Sequence, residues 1–431
     1  MAPSSRGRTP GSHPGNRGSI PLGATKKESI NHVNIRLDII MEKVYEDSLE
    51  FHKKHHGVLE IKSKVPIKSR EDLAIVYTPG VAEVSRQIGT DKALAKEYTI
   101  KKNTVAVISD GSAILGLGNL GPYAAIPVME GKAAIFKEFA GIDAFPICLD
   151  TQDSEEIIKV VKQIAPVFGA INLEDISAPR CFGILARLKE ELDIPVVHDD
   201  QQGTAVVVLA ASINALKLKK MTKTEAKVVI NGAGAAGIAI AKLFLKYGFT
   251  NLVLCDSSGA IYQGRSDLNP NKTELANLTN IACQGGLDSS NCVIGGTFAC
   301  ATKLDIFIGV SKGNIVTPEM VKEMNPDPAI FAMANPIPEI MPDIAKKAGA
   351  FIVGTGRSDF PNQINNALVF PGIFRGALDN KVINITDEML INAAENLAGY
   401  VKDLSPDHIL PEILDKNVVK IVAEAIKESG D

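Results

Sequence analysis

Three things are scarce in this 431-residue chain, and each scarcity removes a class of function. No apolar run approaches the ~18 residues that a membrane span needs. The longest, Ala205-Val206-Val207-Val208-Leu209-Ala210-Ala211, is broken by Ser212 and Asn214 and reads as a buried helix. Basic residues are not in surplus. The 46 Lys and Arg face 50 Asp and Glu, for a net charge of −4, so no polycationic face is offered to nucleic acid. The six cysteines (Cys148, Cys181, Cys255, Cys283, Cys292, Cys300) include no CxxC pair. In a chain this long no disulfide framework is expected, a zinc site lacks its ligand spacing, and a reducing cytoplasmic compartment is the natural setting.

Acid is also missing locally. Residues 1–27 are rich in Ser, Gly, Pro and Arg, and the first acidic residue is Glu28. Such a segment cannot bury a core, so 1–30 reads as a disordered tail or cloning remnant. The same composition suits a transit peptide to an organelle matrix, but its Pro and Gly density opposes the amphipathic helix that such a peptide needs.

The remainder is ordinary for a globular protein, with 45% hydrophobic and 22% charged residues, and its length suggests two or three domains. Short β-branched runs alternate with helical patterns: 105–108, 170–173, 194–197, 228–230, 252–254, 306–308, 330–333 and 351–353. That alternation means an α/β fold with parallel sheets covered by helices. A helix from Thr204 to Lys217 separates two units, giving an N-terminal α/β catalytic domain over 31–200 and a Rossmann-type dinucleotide domain over 201–431. The last forty residues look helical and are expected to pack back on the first unit.

The second unit opens on a phosphate-binding pattern. The strand Lys227-Val228-Val229-Ile230 runs into Gly232-Ala233-Gly234-Ala235-Ala236-Gly237, and Ala235 to Tyr247 has helical periodicity. Gly232 permits the tight turn, Gly234 close approach of a pyrophosphate, and Gly237 helix–strand packing, with the helix N-terminus facing the anion. Asp256 closes the next strand, 19 positions beyond Gly237, where an acid bonds the adenosine ribose. That carboxylate favours NAD+, while the hydroxyls of Ser257 and Ser258 keep NADP+ open. A second match, Gly116-Leu117-Gly118-Asn119-Leu120-Gly121, is read as a cleft loop, because Pro122 and Pro127 argue against a long helix after it.

Two carboxylate pairs occupy matching places. Glu174-Asp175 follows the strand 170–173, and Asp199-Asp200 follows the strand 194–197, ahead of a helix starting at Gly203-Thr204. The C-terminal edges of parallel strands lie together, so the pairs can converge. Oxygen ligands without clustered Cys or His suit Mg2+ or Mn2+. The competing role is helix N-capping, common for Asp at strand–helix turns. The histidines of Phe51-His52-Lys53-Lys54-His55-His56 are interleaved with lysines and read as a solvated helical face.

The ordered set Tyr77-Thr78-Pro79-Gly80-Val81-Ala82, Gly116 to Gly121, Glu130-Gly131-Lys132, Glu174-Asp175 and His198-Asp199-Asp200-Gln201-Gln202-Gly203-Thr204 strongly resembles malic enzyme in its shorter bacterial-type form, over roughly residues 35 to 405. The resemblance implies Tyr77 as general acid, Lys132 as general base, and Glu174, Asp175 and Asp200 as metal ligands. Asp199 becomes an acid near metal and base, and Asn335 and Asn365 substrate-binding residues. On residue type alone, Tyr77 and Lys132 would pass for a half-buried core tyrosine and a surface lysine. The implied reaction is oxidative decarboxylation of L-malate to pyruvate and CO2 with NAD+ or NADP+, in a homodimer or larger assembly. It requires a lysine of lowered pKa, which burial and a nearby cation favour. Malolactic enzyme, and a non-catalytic nucleotide sensor on the same fold, are the rival readings. Two departures stand out. Asp110-Gly111 is followed by Ser112-Ala113 where larger animal-type enzymes carry an arginine, so malate's carboxylate must rest on loop N–H groups or the asparagines. Gln202 replaces a histidine usual in the bacterial type, and the sequence offers no reason for it.

Overall fold

A computed structural model describes residues 42–285, 292–296 and 303–428. The expectations for residues 1–30 and for Cys300 lie outside the described residues. The chain divides into two compact units, 1–58 and 59–431. In the first, 42–55 is helical, and Lys53, Lys54 and His55 are exposed, as a solvated face requires.

The second unit holds two sheets. Four parallel strands are ordered β2-β1-β3-β4: β1 (Thr104–Ser109), β2 (Asp143–Cys148), β3 (Ala170–Leu173) and β4 (Val196–His198). Six strands are ordered β10-β9-β8-β5-β6-β7: β5 (Lys227–Asn231), β6 (Asn251–Asp256), β7 (Gly259–Ala260), β8 (Ile306–Gly309), β9 (Ala329–Ala332) and β10 (Ile352–Thr355). Only β7 is antiparallel in this sheet. β5 lies between β6 and β8, so the chain reverses direction across the sheet there, and ligands bind at such a switch point.

The helix Asp199–Lys219 joins the two sheets. Its residues Ala205 to Leu216 are all buried, and all but Ser212 and Asn214 belong to one apolar core with β1, β5, β8 and β9 residues. A helix apolar all round survives only in such a central place. Within the last forty residues, Lys416 reaches the helix that carries Phe136, its Nζ 3.5 Å from Glu138 Oε2; earlier in the chain, Phe370 and Phe374 of the helix Phe370–Asp379 meet Phe136, with ring centroids 4.7 and 5.1 Å apart.

Three expectations are corrected and one strand is added. The Pro122–Ala140 helix is 19 residues long. Pro122 sits at its first position, where the missing N–H would be unpaired anyway, and Pro127 is accommodated inside. A helix N-terminus therefore does follow the Gly116–Gly121 loop. Strand β2 lies outside the runs read from the sequence; it contains Pro146, and β2 is an edge strand, where a missing donor is tolerated. The joining helix begins at Asp199 rather than Gly203, which puts both acids of the second pair in its first turn. Finally, Cys283 and Cys292, nine residues apart, form a disulfide, a short staple where no disulfide framework is expected. No helix among the described residues is long and apolar enough to cross a membrane.

Candidate active site

The site forms where β1, β3 and β4 end. Glu174 continues β3, its N–H bonded to the Ile108 carbonyl of β1 at 2.9 Å. Asp175 takes a left-handed backbone (φ 53°), and its N–H donates to Asp200 Oδ2 at 2.9 Å, which ties the two pairs together. One carboxylate oxygen from each of Glu174, Asp175 and Asp200 lies within 4.8 Å of the others. The donors are all oxygen, and Asp175 Oδ2 is buried without a hydrogen-bond partner. A hard divalent cation fits that set. Of the four acids, Asp199 is fully buried, and Glu174 and Asp175 are nearly so. Burial is the main force lifting Glu174, Asp175, Asp199 and Asp200 above the ordinary carboxylate range, and repulsion from neighbouring acids adds to it.

Lys132 enters this group from the Pro122–Ala140 helix. Its Nζ is 2.7 Å from Glu174 Oε1, is ion-paired with Asp199 Oδ2, and lies 4.3 Å over the Phe370 ring. The expectation of a lowered lysine pKa is not met in the protein alone. Burial does oppose the charge, but Asp199 and Glu174 outweigh it and hold Lys132 well above the usual lysine value. Beside the cluster, burial pushes the His198 imidazole down to about 3, which leaves it neutral.

Several supporting residues escaped the sequence reading. Asn172, a lone amide in the buried strand β3, donates to Glu174 Oε2 at 2.9 Å. Gln202 acquires a reason, because its Oε1 accepts the His198 N–H at 2.9 Å, where the joining helix begins. A Cβ at Gly203 would lie 1.8 Å from Asp199 Oδ1, so only glycine leaves room for that acid. An arginine also stands beside Ser112, though from far along the chain: Arg180 donates to Ser112 Oγ at 2.6 Å and pairs with buried Asp110. An isolated polar residue in a buried strand was a usable signal for Asn172; nothing local announces the Arg180 partnership.

The other proposed residues are placed unevenly. The Asn335 carbonyl oxygen would lie 1.8 Å from a Cβ at Gly116, so the Asn335 turn and the Gly116–Gly121 loop touch. Asn365 accepts the Ala367 N–H at 2.9 Å, and the neighbouring Asn366 lies beside Gly203 and hence Asp199. Tyr77 is not brought in: it is 67% exposed, and its hydroxyl has no hydrogen-bond partner among the described residues.

The dinucleotide turn has the expected build. A Cβ at Gly237 would lie 1.7 Å from the Gly232 carbonyl oxygen, and Gly232 (φ 128°) is pressed against Val310. At Gly234 a Cβ would meet nothing within 4 Å, and no side chain caps the Ala235–Tyr247 helix, so its first N–H groups face an open cradle for a pyrophosphate. Asp256 does end β6, and it is not a lone carboxylate. Arg265 Nη2 lies 2.7 and 2.8 Å from its two oxygens, and Lys272 Nζ is 2.5 Å from Oδ2. Burial opposes its charge, yet these cations hold the carboxyl below its ordinary value. The acid is neutralised within the chain by Arg265 and Lys272.

Comparison with known proteins agrees with this architecture. Residues 56–156 and 151–189 match the family model of the malic enzyme N-terminal domain, and residues 201–429 match the malic enzyme NAD binding domain. A bifunctional malic/malolactic enzyme of Bacillus subtilis (strain 168) is 53% identical over 388 residues, covering 89% of this chain and 92% of that protein. An NAD-dependent malic enzyme of Geobacillus stearothermophilus is 55% identical over 376 residues, covering 87% and 77%. The crystal structure of an NAD-dependent malic enzyme from Thermotoga maritima superposes with a TM-score of 0.83 at 50% identity, covering 89% of this chain and 99% of that one. Matched over both sheets and across the helix that joins them to the site, the chain belongs to the malic enzyme family.

Proposed function

We propose that the chain converts L-malate and NAD(P)+ to pyruvate, CO2 and NAD(P)H. The observation that carries this reading is a buried lysine held among carboxylates, three of which converge at the edge of one sheet, in a chain that also carries a dinucleotide turn. Glu174, Asp175 and Asp200 would hold Mg2+ or Mn2+, and the turn from Gly232 to Gly237 the dinucleotide. When bound, the cation supplies Lewis-acid stabilisation of the substrate's oxygens and positive charge beside the acids that hold Lys132, while the dinucleotide accepts the C2 hydride. With the cation bound and its charge set against those of the acids, Lys132 would stand as the neutral amine and receive the C2 hydroxyl proton, and Asp199 would hold the ammonium so formed. Asn335 and Asn365 orient the substrate's carboxylates. Tyr77 returns a proton to C3 after CO2 has left.

Tyr77 acts only if its exposed face is covered. Leu73, Ile75, Val76 and Val81 around it are also exposed, and neither flanking helix, Arg70–Val76 nor Val81–Thr90, buries a residue. This apolar face supports the homodimer, with a second copy as the cover. The division into catalytic (31–200) and dinucleotide (201–431) domains, and a cytoplasmic setting, belong to the same reading. The name of the Bacillus relative favours malolactic conversion as a second reading. Initial rates with malate, Mn2+ and either NAD+ or NADP+ decide between them. Absorbance growth at 340 nm with stoichiometric pyruvate supports the proposal. Lactate without net NAD(P)H supports the second reading, and neither product refutes both.

A further inference from the structure

One buried acid of the second sheet takes no part in the reaction just described. Glu339 is fully buried in Pro336-Ile337-Pro338-Glu339, beyond β9. Its Oε1 accepts the Ser311 N–H at 3.1 Å, and its Oε2 accepts the Ala334 N–H at 3.0 Å. Ser311 lies two residues past β8 and Ala334 two past β9, so the carboxylate bridges neighbouring strands at the edge where parallel sheets bind ligands. Space for it is left by Gly309, the last residue of β8, where a Cβ would lie 2.3 Å from Glu339 Cδ. The backbone around the acid is fixed as well: Val316 N–H donates to the Glu339 carbonyl, and Asn314 N–H to the Pro338 carbonyl, both at 3.0 Å.

The two loops it joins lead to different substrates. The loop after β8 meets the dinucleotide turn: Asn231 Nδ2 donates to Ser311 Oγ at 2.9 Å, Val310 N–H donates to the Asn231 carbonyl at 2.9 Å, and a Cβ at Gly232 would lie 2.5 Å from the Val310 carbonyl oxygen. The loop after β9 carries Asn335, directly after Ala334, and meets the Gly116 loop. We propose that Glu339 is a positioning residue that holds both loops in one frame and so sets where Asn335 stands relative to the dinucleotide turn. The inference rests on the malate reading for the role of Asn335, but not for the loop after β8.

A carboxylate is required because both partners are donors. An amide of the same shape offers one acceptor and turns an NH2 toward the other N–H, which leaves that buried donor unpaired. Hydride transfer depends on the spacing of the two reactants, and small displacements there are costly.

The test compares Glu339→Gln and Gly309→Ala with the unaltered protein, with Mn2+ present. Gly309→Ala leaves the acid intact but drives a methyl group into it. In both variants the number of NADH-binding sites, titrated by NADH fluorescence, is expected to stay the same, with Kd raised about 3-fold. At saturating dinucleotide, kcat/KM for malate is expected to fall at least about 10-fold, or about 1.4 kcal/mol, through both a higher KM and a lower kcat. A merely structural role would instead lose binding sites and turnover in proportion, at unchanged KM, and that result overturns the inference. Malate kcat/KM within 2-fold of the unaltered protein in Gly309→Ala overturns it too, and this variant decides if Glu339→Gln does not fold. If the unaltered protein fails to turn over malate, the malate reading falls, and the NADH titration alone judges Glu339: unchanged affinity in the folded variant refutes it.

Discussion

Replacing Gly203 by alanine sets two physical effects against each other with opposite signs. Gly203 is the fifth residue of the Asp199–Lys219 helix. On propensity alone, alanine in a helix interior stabilises by about 1 kcal/mol over glycine. The added Cβ, however, would lie 1.8 Å from Asp199 Oδ1 and 2.9 Å from its Cγ, with the Asn366 Cβ 3.3 Å away on another side. Asp199 cannot simply turn aside, since its other oxygen is bound to Lys132 and both side chains are buried. Moving the acid breaks a buried ion pair, and removing one partner of such a pair costs about 3–5 kcal/mol. The clash should therefore win, for a net loss of about 2–4 kcal/mol against the propensity gain. Turnover should fall by about 100-fold, because the group that orients Lys132 is displaced. Thermal unfolding of the metal-free protein and the 340 nm malate assay read the two effects separately. A variant that melts higher than the parent and keeps more than half of its turnover would show that Asp199 is not held as described.

Two further outcomes follow from the site. Lys272→Ala removes one of the two cations that neutralise Asp256 and leaves its carboxylate with Arg265 alone. The ratio of kcat/KM with NADP+ to that with NAD+ should fall about 10-fold, and a constant or rising ratio would contradict the ion-pair argument. Asp200→Asn should raise the Mn2+ concentration needed for half-maximal rate at least about 100-fold, beyond the loss typical of residues that merely support a ligand. An unchanged Mn2+ titration would remove Asp200 from the ligand set.

Much of the fold was legible because the patterns that encode it are local. The Ala235–Tyr247 helix, its Gly248 terminus and the ending of β6 at Asp256 lie where periodicity and glycine chemistry put them. The errors came where a local rule meets a tertiary exception. Proline argues against a strand, yet Pro146 is tolerated because β2 has a neighbour on one side only. Proline argues against a helix, yet Pro122 falls at the one position where its missing donor costs nothing. Gly203 marks a helix start by propensity, but the helix begins four residues earlier, since the glycine is needed for clearance and not for a turn.

The site was legible in its chemistry and not in its pairing. Oxygen ligands, a lysine and a glycine turn are residue types, and type can be read directly. The state of each group is set by neighbours that type does not announce. For Lys132 a lowered pKa is expected from burial together with a nearby cation; burial does push that way, but in the protein alone two acids more than 40 residues further along the chain outweigh it. Asp256 was expected to repel a phosphate, and the carboxylate is indeed there, but Arg265 and Lys272 cancel it. In both cases a Coulomb interaction a few Å long outweighs the property of the residue alone, because partial burial weakens the screening that water would supply. Glu339 follows the same logic in reverse. A glutamate between prolines has no recognisable signature, and it becomes informative only once β8 and β9 lie side by side and present it with two N–H groups and no competing acceptor of their own.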